Sequence, residues 1–257
     1  MDLELEGLRV LVTGGSRGIG RSVSEVLLGE GARVAIASRS PEETASELGA
    51  EPVAADLATA EGCAAAVAGA AGALGGLDVL VNNAGAARVG SFEEISDERW
   101  QDGWDVNVMS AIRCIRAALP ALRRSDFASI VNVSSTAGKR PSTGMPDYSV
   151  QKAALLSVSR LVADLYAKEG IRSNAICPGP TLTDAWLAPG GLADQNARTS
   201  QTARADVFDR VGSGRPLGRM AEPEEIAVVV AFLCSPRSSY VTGAAWGADG
   251  GTVPVII

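Results

Sequence analysis

The stretch RVLVTGGSRGIGRSVSEVLLGEG, from Arg9 to Gly31, decides the fold class of this chain. It begins with a continuous apolar run, Arg9–Val12, which predicts a strand covered on both faces. A glycine-rich loop, Thr13–Gly20, and a helical stretch follow. In this context glycines allow backbone N–H groups at the start of the helix to approach a pyrophosphate. The alternative is a loop that only packs helix on strand, but the strand before it and the helix after it favour dinucleotide binding.

The alternation of strand and helix continues along the whole chain. Strands are predicted at Arg9–Val12, Arg33–Ala37, Pro52–Ala55, Val79–Val81, Ser129–Val133, Arg172–Ile176 and Ala244–Ala248. With helices between them, we expect an α/β fold of the Rossmann type, a doubly wound, mostly parallel seven-stranded sheet with helices on both faces. No linker divides the chain, so residues 1–257 are expected to form one domain. The polar segment 184–215 interrupts the rhythm and is either a substrate lid or a disordered insertion.

Composition excludes several classes of function. The chain has 257 residues, 46% of them hydrophobic and 21% charged, as expected for a soluble globular protein. Its net charge of −7 argues against nucleic acid as a partner. No apolar run is long enough to span a membrane. The acidic stretch at the N-terminus is too short to be a signal peptide. The four cysteines are scattered without a close pair, which favours a reducing cytoplasm over a disulfide framework or a zinc site.

Two arginines and a serine point to the phosphorylated dinucleotide. Enzymes that use NAD place an acid about 20 residues after the glycine loop, where it contacts the ribose 2′-hydroxyl. Here Ser38 and Arg39 follow the second strand, and Arg17 lies within the loop. Guanidinium groups hold a 2′-phosphate that an acid would repel, so this pattern predicts NADP. Each arginine taken alone is equally consistent with a solvated surface residue.

The pentapeptide from Tyr148 to Lys152 is the candidate for proton transfer. The sequence contains no histidine, so the commonest general base and the usual imidazole metal ligand are absent, and we expect no metal site. On a helix, residues four apart lie on one face. A lysine ammonium next to a tyrosine favours the phenolate and would lower the tyrosine pKa from about 10. The alternative is a surface Tyr and Lys on an ordinary helix.

Short segments that contain polar side chains follow the other predicted strands, where open α/β sheets bind ligands. They are Asp56 and Leu57, Asn82–Gly85, Ser134 and Ser135, and Cys177–Thr183. Asn82 and Asn83 are also common in turns, and a buried structural thiol is the better interpretation of Cys177. Asn107 lies among apolar residues of a predicted helix and therefore needs a polar partner, which could be structural or catalytic.

Taken together, these motifs resemble the short-chain dehydrogenase/reductase family in its single-domain branch. They occur in family order over nearly the whole chain: Thr-Gly-xxx-Gly-Ile-Gly (13–20), Asn-Asn-Ala-Gly (82–85), Asn107, the strand-end serine, Tyr-xxx-Lys (148–152), Pro-Gly (178–179), and Tyr-Val-Thr-Gly through Asp249-Gly250-Gly251. Any one of them is weak evidence, but seven in order are very specific. Gln151 departs from the small residue that is usual in the family.

The resemblance implies roles for individual residues. Tyr148 would be the general acid/base, Lys152 would lower its pKa and bind the nicotinamide ribose, and Asn107 would anchor a water that links Lys152 to solvent. The active serine precedes the tyrosine by about thirteen residues in the family, which selects Ser135 over Ser134 to hold the substrate carbonyl. The residues expected to contact NADP are Gly14, Ser16, Arg17, Gly18, Ile19, Gly20, Ser38, Arg39, Asp56, Leu57, Asn83, Ala84, Gly85, Tyr148, Lys152, Pro178, Gly179, Thr181 and Thr183.

The implied reaction is hydride transfer between NADP(H) and a ketone or secondary alcohol, with the hydride supplied by the cofactor. One alternative is the reduction of 3-oxoacyl thioesters on acyl carrier protein or coenzyme A. A second is a non-catalytic NADP-sensing protein on the same fold, and a third is an isomerase or dehydratase that reuses the Tyr/Lys pair. The two long helices, 97–124 and 148–168, are apolar over more than one stripe. They therefore predict a homo-oligomer, a tetramer or a dimer, as in the family.

Overall fold

Seven parallel strands form the centre of the molecule. The computed structural model describes residues 2–254; Met1 and residues 255–257 of the predicted domain lie outside the described residues. Strands β1–β7 are Arg9–Thr13, Arg33–Ser38, Glu51–Ala54, Val79–Asn82, Ala128–Val133, Ile171–Pro178 and Ala245–Ala248. Their order in the sheet is β3-β2-β1-β4-β5-β6-β7, and neighbouring strands run parallel. The predicted doubly wound sheet is confirmed, with strand ends shifted by one or two residues.

Helices cover both faces of this sheet. Helices α1–α11 are Gly18–Gly29, Glu42–Leu48, Ala60–Leu74, Asp97–Trp104, Ser110–Leu122, Thr136–Lys139, Pro146–Tyr166, Asp184–Leu187, Leu192–Ser200, Arg204–Ser213 and Pro223–Cys234. One core cluster contains α3, α5 and α7, and the other contains α1 and α11. Strand β1 contributes Leu11 to the first cluster and Val10 and Val12 to the second. Successive side chains of a strand point to opposite faces, so a continuous apolar run serves both clusters.

The strand order reverses between β1 and β4. From β1 the chain winds outward to β2 and β3, then returns to place β4 on the other side of β1. The last residues of the two strands, Thr13 and Asn82, are directly paired. Loops leaving such a switch point diverge and leave a crevice at the carboxyl ends of the strands, where ligands bind in this class of sheet.

The long helix predicted over 97–124 is interrupted by a π-helical turn, Asp105–Met109, between α4 and α5. The Ser110 N–H bonds to the Asp105 carbonyl five residues earlier rather than four. Arg113 holds the Asp105 carboxylate at 2.9 Å. The extra residue widens the turn and places Asn107 at its centre. Such turns are rare inside α-helices and are frequent at functional sites.

The segment 184–215 is folded and contains α8, α9 and α10, so the disordered alternative does not describe it. The side chain of Gln195 in α9 accepts a hydrogen bond from the Val89 N–H at 2.9 Å, which ties the segment to the loop after β4. Across residues 2–254, none of the helices combines the length and apolar character that crossing a bilayer requires.

Candidate active site

Tyr148 and Ser135 meet at the carboxyl end of β5. Tyr148 lies in the first turn of α7 and is half-buried, and Ser135 caps the short helix α6. The Ser135 hydroxyl accepts from the Ala137 N–H at 3.1 Å, so its proton remains available to a ligand. Burial raises the pKa of Tyr148 to about 12, and the adjacent Ser135 hydroxyl opposes that rise. The tyrosine is therefore protonated at neutral pH in the cofactor-free protein.

The neighbouring serine has a different environment. Ser134 is buried, and its hydroxyl donates to the main-chain carbonyl of Lys152 at 2.9 Å. This bond joins β5 to α7 and leaves Ser134 no free proton for a substrate. The geometry is thus consistent with the choice of Ser135 over Ser134.

Lys152 lies one helical turn after Tyr148, beneath the tyrosine ring. Its side chain is only 3% exposed, and its Nζ lies 5.6 Å from the centre of the ring and donates to the Val133 carbonyl at 2.9 Å. Burial lowers the pKa of Lys152 to about 8. The pKa of Tyr148 is raised and not lowered as expected, because desolvation penalises the charged form of each group.

Asn107 also lies close to Lys152, next to Gly85. Its amide Nδ2 donates to the Ala86 carbonyl at 2.9 Å and to Oε1 of Gln151 at 2.8 Å. Its Oδ1 accepts from the Ala86 N–H at 3.0 Å. Asn107 therefore has the polar partners that its buried position requires, and they fix its side chain beside the loop that follows β4.

The glycine loop and the start of α1 form one wall of the crevice. Gly14 and Gly18 have φ angles of +65° and +53°, which residues with a side chain rarely adopt. No side chain caps the amino end of α1, so its first N–H groups are available to an anion. Thr183, after β6, lies directly over Gly18, where a Cβ would approach it to 3.3 Å. The chain thus brings two distant predicted cofactor residues together.

Ser38, Arg17 and Arg39 are the residues that the sequence predicts to contact a 2′-phosphate. The hydroxyl of Ser38 is buried and has no hydrogen-bond partner within residues 2–254. Arg17 and Arg39 are exposed at the rim. In the same described range, neither side chain forms an ion pair or a hydrogen bond. An unsatisfied buried hydroxyl and unpaired guanidinium groups are the kinds of donor that a phosphate would satisfy.

Other residues predicted to contact the cofactor differ in whether their side chain or only their backbone is available to it. Asp56 is exposed at the end of β3, whereas the side chain of Leu57 packs in the core, which leaves only its backbone for a ligand. Asn83 donates to the carbonyls of Thr13 and Gly14 at 3.0 and 3.1 Å, so it braces the glycine loop. Thr181 is buried, and its hydroxyl donates to the Gly179 carbonyl.

The remaining predicted residues lie along the same crevice. Ser16, Ile19 and Gly20 belong to the glycine loop and the first turn of α1, Ala84 and Gly85 follow β4, and Pro178 ends β6. The thiol of Cys177, next to Pro178, is fully buried, and burial raises its pKa to about 11. A thiol that stays protonated at neutral pH is a poor nucleophile, which agrees with its structural interpretation.

Three polar residues of the site were not predicted. Thr44 in α2 donates to the Ser16 carbonyl at 3.1 Å and supports the glycine loop. Arg99 in α4 pairs with the buried carboxylate of Asp147, directly before Tyr148, at 2.9 Å. Gln151 bonds to Asn107 from the position before Lys152. Only Gln151 carried a signal in the sequence, since a polar residue stands where the resemblance implies a small one.

Residues 14–253 match the family described as enoyl-(acyl carrier protein) reductase. An uncharacterized oxidoreductase of Bacillus subtilis, YvrD, is 34% identical over 98% of this chain and 99% of its own length. The 3-oxoacyl-[acyl-carrier-protein] reductase FabG of Vibrio cholerae is 32% identical over 97% of this chain and 98% of its own length.

A solved structure shows the same architecture. L-Sorbose reductase from Gluconobacter frateurii, complexed with NADPH and L-sorbose, superposes with a TM-score of 0.91 at 33% identity. The match covers 100% of both chains. The similarity in sequence and in structure therefore extends over the complete fold.

Proposed function

Because the chain belongs to the short-chain dehydrogenase/reductase family of oxidoreductases, we propose that it transfers a hydride between NADP(H) and a ketone or secondary alcohol. The observation that carries this proposal is the pair of hydroxyls at the end of β5. Ser135 has a proton to donate to a carbonyl oxygen, and Tyr148 stands beside it as the proton donor. The nicotinamide cofactor supplies the hydride when it is bound.

The raised pKa of Tyr148 supports carbonyl reduction. A tyrosine with a pKa of about 12 remains an acid through the neutral range and can protonate the oxygen of a ketone. Lys152 lies below it with a labile proton that could replenish the tyrosine proton, and Asn107, which borders the same space, would anchor a water that links Lys152 to solvent.

The preference for NADP rests on Ser38, Arg17 and Arg39. Each arginine could donate a charge-assisted hydrogen bond to the 2′-phosphate, and the Ser38 hydroxyl would gain the partner that it lacks. The NADPH in the sorbose reductase structure is in line with this proposal. The same relative suggests testing ketoses as well as simple ketones, with α8–α10 acting as the lid over the substrate.

The test is a spectrophotometric assay of NADPH oxidation with simple ketones, ketoses and 3-oxoacyl thioesters, and NADH in parallel. We expect turnover of at least one free ketone or ketose with NADPH, and its loss in Tyr148→Phe. An NADP-sensing protein would bind NADPH tightly yet turn over none of these substrates. An isomerase or dehydratase would convert its substrate without net oxidation of the cofactor.

The second candidate function is the reduction of a 3-oxoacyl thioester, which the similarity to the Vibrio cholerae reductase favours. An acidic carrier protein would need an unpaired basic surface. Here Arg123 is neutralised by Glu169 at 2.6 Å and also lies over the ring of Tyr166. Because Arg123 is paired in this way, we rank a free ketone above a carrier-bound ketone as the substrate. The 3-oxoacyl thioesters in the assay distinguish these two candidates.

A further inference from the structure

Gln151 belongs to α7, and its side chain is buried against the π-helical turn. Its side chain is 1% exposed, and it lies directly before Lys152 in the sequence. Gly103, at the end of α4, makes room for it, because a Cβ at that position would stand 2.4 Å from Gln151 Nε2. Glycine inside a helix lowers helix propensity. Gly103 therefore costs α4 some stability, but it leaves the space that the Gln151 side chain occupies.

The orientation of the Gln151 amide follows from its neighbours. The Trp100 main-chain carbonyl can only accept, and Gln151 Nε2 points to it at 3.4 Å. The amide oxygen of Gln151 must then face the other way, toward Asn107 Nδ2 at 2.8 Å. Asn107 in turn presents its oxygen to the Ala86 N–H. The Trp100 carbonyl at one end and the Ala86 N–H and carbonyl at the other thus require the same orientation of the two buried amides.

Asn107, the second amide of this series, lies close to Lys152, a candidate group for proton transfer. A Cβ on Gly85 would stand 2.7 Å from Asn107 Oδ1 and 3.3 Å from Lys152 Nζ. The loop Gly85–Ala86 therefore fits between the amide of Asn107 and the ammonium of Lys152. A change in the Asn107 amide would shift this loop and, with it, the space beside Lys152.

We propose that Gln151 is a positioning residue for proton transfer, which holds the Asn107 amide and, through it, the loop Gly85–Ala86 against Lys152. The inference rests on the proposed reductase function. The Gln151 amide bonds to Asn107 and to the Trp100 carbonyl, and it acts through Asn107. Loss of its hydrogen bond leaves one donor of Asn107 unsatisfied and allows the π-helical turn to relax.

Two variants disturb this contact in different ways. Gln151→Met keeps the volume and removes the hydrogen bond. Gly103→Ala keeps the glutamine but places a methyl group where its Nε2 lies, while raising the helix propensity of α4. Gly72→Ala in α3 is the matched control, since nothing lies within 4 Å of the added Cβ.

For each variant, kcat for ketone reduction, the dissociation constant of NADPH and the thermal unfolding midpoint are measured. We expect kcat to fall about tenfold in Gln151→Met and in Gly103→Ala, as for a misplaced catalytic group. The NADPH dissociation constant should change by less than about threefold, while Gly103→Ala should unfold earlier than the parent protein, because the added methyl group overpacks the buried Gln151 side chain. Gly72→Ala should match the parent in kcat and in NADPH affinity, and it should unfold slightly later because alanine favours the helix.

Hydrogen exchange at the Ala86 amide provides a readout that needs no substrate. This N–H donates to Asn107 Oδ1, so its exchange should accelerate in both variants and not in the control. If the parent protein reduces no ketone, the proposed function fails, while exchange at Ala86 still tests the role of Gln151. An unchanged exchange rate at Ala86 overturns the inference, as does a kcat above about half the parent value in an active Gln151→Met protein.

Discussion

At the scale of single residues, Tyr148 gives the sharpest test of the proposed chemistry. Tyr148→Phe removes the hydroxyl next to Ser135 and keeps the ring over Lys152. We expect NADPH to bind as in the parent protein and kcat to fall about 10²–10⁴-fold, the usual contribution of a general acid. Steady-state kinetics and a cofactor titration measure the two quantities. Retention of more than about half the activity would show that another group supplies the proton.

Lys152 predicts a specific dependence of stability on pH. Its folded pKa of about 8 lies below the ordinary value of 10.5, so the cost of burying the ammonium is fully present below pH 8. Between the two values the unfolded chain binds more protons, so the free energy of unfolding rises with pH. Relative to Lys152→Met, the cofactor-free parent should gain roughly 2 kcal/mol between about pH 7 and about pH 10.

The measurement for Lys152 is urea unfolding of both proteins across that range. The difference between them cancels the titration of other groups, including Tyr148, whose raised pKa acts with the opposite sign above pH 10. The variant also loses the hydrogen bond from Lys152 to Val133. This loss changes the difference in the free energy of unfolding by a constant and leaves its dependence on pH unchanged. A difference that is flat with pH would mean that burial does not lower the pKa of Lys152, so that the lysine stays charged in the folded protein up to about pH 10.

Ser38 and Arg39 carry the prediction on cofactor choice. With the exposure of both arginines taken into account, a net gain of about 2 kcal/mol for the 2′-phosphate corresponds to about thirtyfold tighter binding of NADPH than of NADH. Ser38→Asp combined with Arg39→Ala should reverse this preference, because the acid repels phosphate and accepts from a free 2′-hydroxyl. The dissociation constants of both cofactors at low and high salt are the measurement; equal affinities in the parent protein would contradict the assignment.

At the scale of secondary-structure elements, α9 gives a prediction for the lid. Gln195 connects this helix to the Val89 N–H, and a hydrogen bond of this kind contributes about 0.5–1.5 kcal/mol. Gln195→Ala should therefore raise KM for the ketone about two- to tenfold and leave NADPH binding unchanged. Asp206→Ala, on the exposed side of α10, is the control. An unchanged KM would argue that α8–α10 do not close over the substrate.

The elements also show where prediction from sequence stops. The predicted start of the long helix at residue 97 agrees with α4, where Ser96 caps the helix and two acids follow it, because capping is a local interaction. The π-helical turn at Asp105–Met109 left no such local signal. It depends on Arg113, on Ala86 in the loop after β4 and on Gln151 in α7, which only the folded chain brings together.

At the scale of the whole molecule, the outer face of α7 predicts self-association. Leu161 and Leu165 are more than half exposed on this helix, at 57% and 56%, and Val150 is exposed on it at 51%. Apolar side chains on one exposed helix face indicate an interface with a second copy. Light scattering should give the mass of a dimer or a tetramer at micromolar concentration. Leu161→Lys with Leu165→Lys should lower it, whereas Leu187→Lys in α8 should not; a monomeric parent protein would refute the prediction.

The sequence by itself determined the class of fold and the residues at the strand ends. Continuous apolar runs, glycine spacing and helix caps are properties of neighbouring residues, so Arg9–Gly31 could be interpreted before any tertiary contact was known. Only the tertiary structure decided the electrostatic state of the site. The pKa values of Tyr148 and Lys152 follow from burial, and the amide of Asn107 is oriented by a partner 44 residues away in the chain. Burial and long-range hydrogen bonds arise when the chain closes on itself, and no local pattern encodes them.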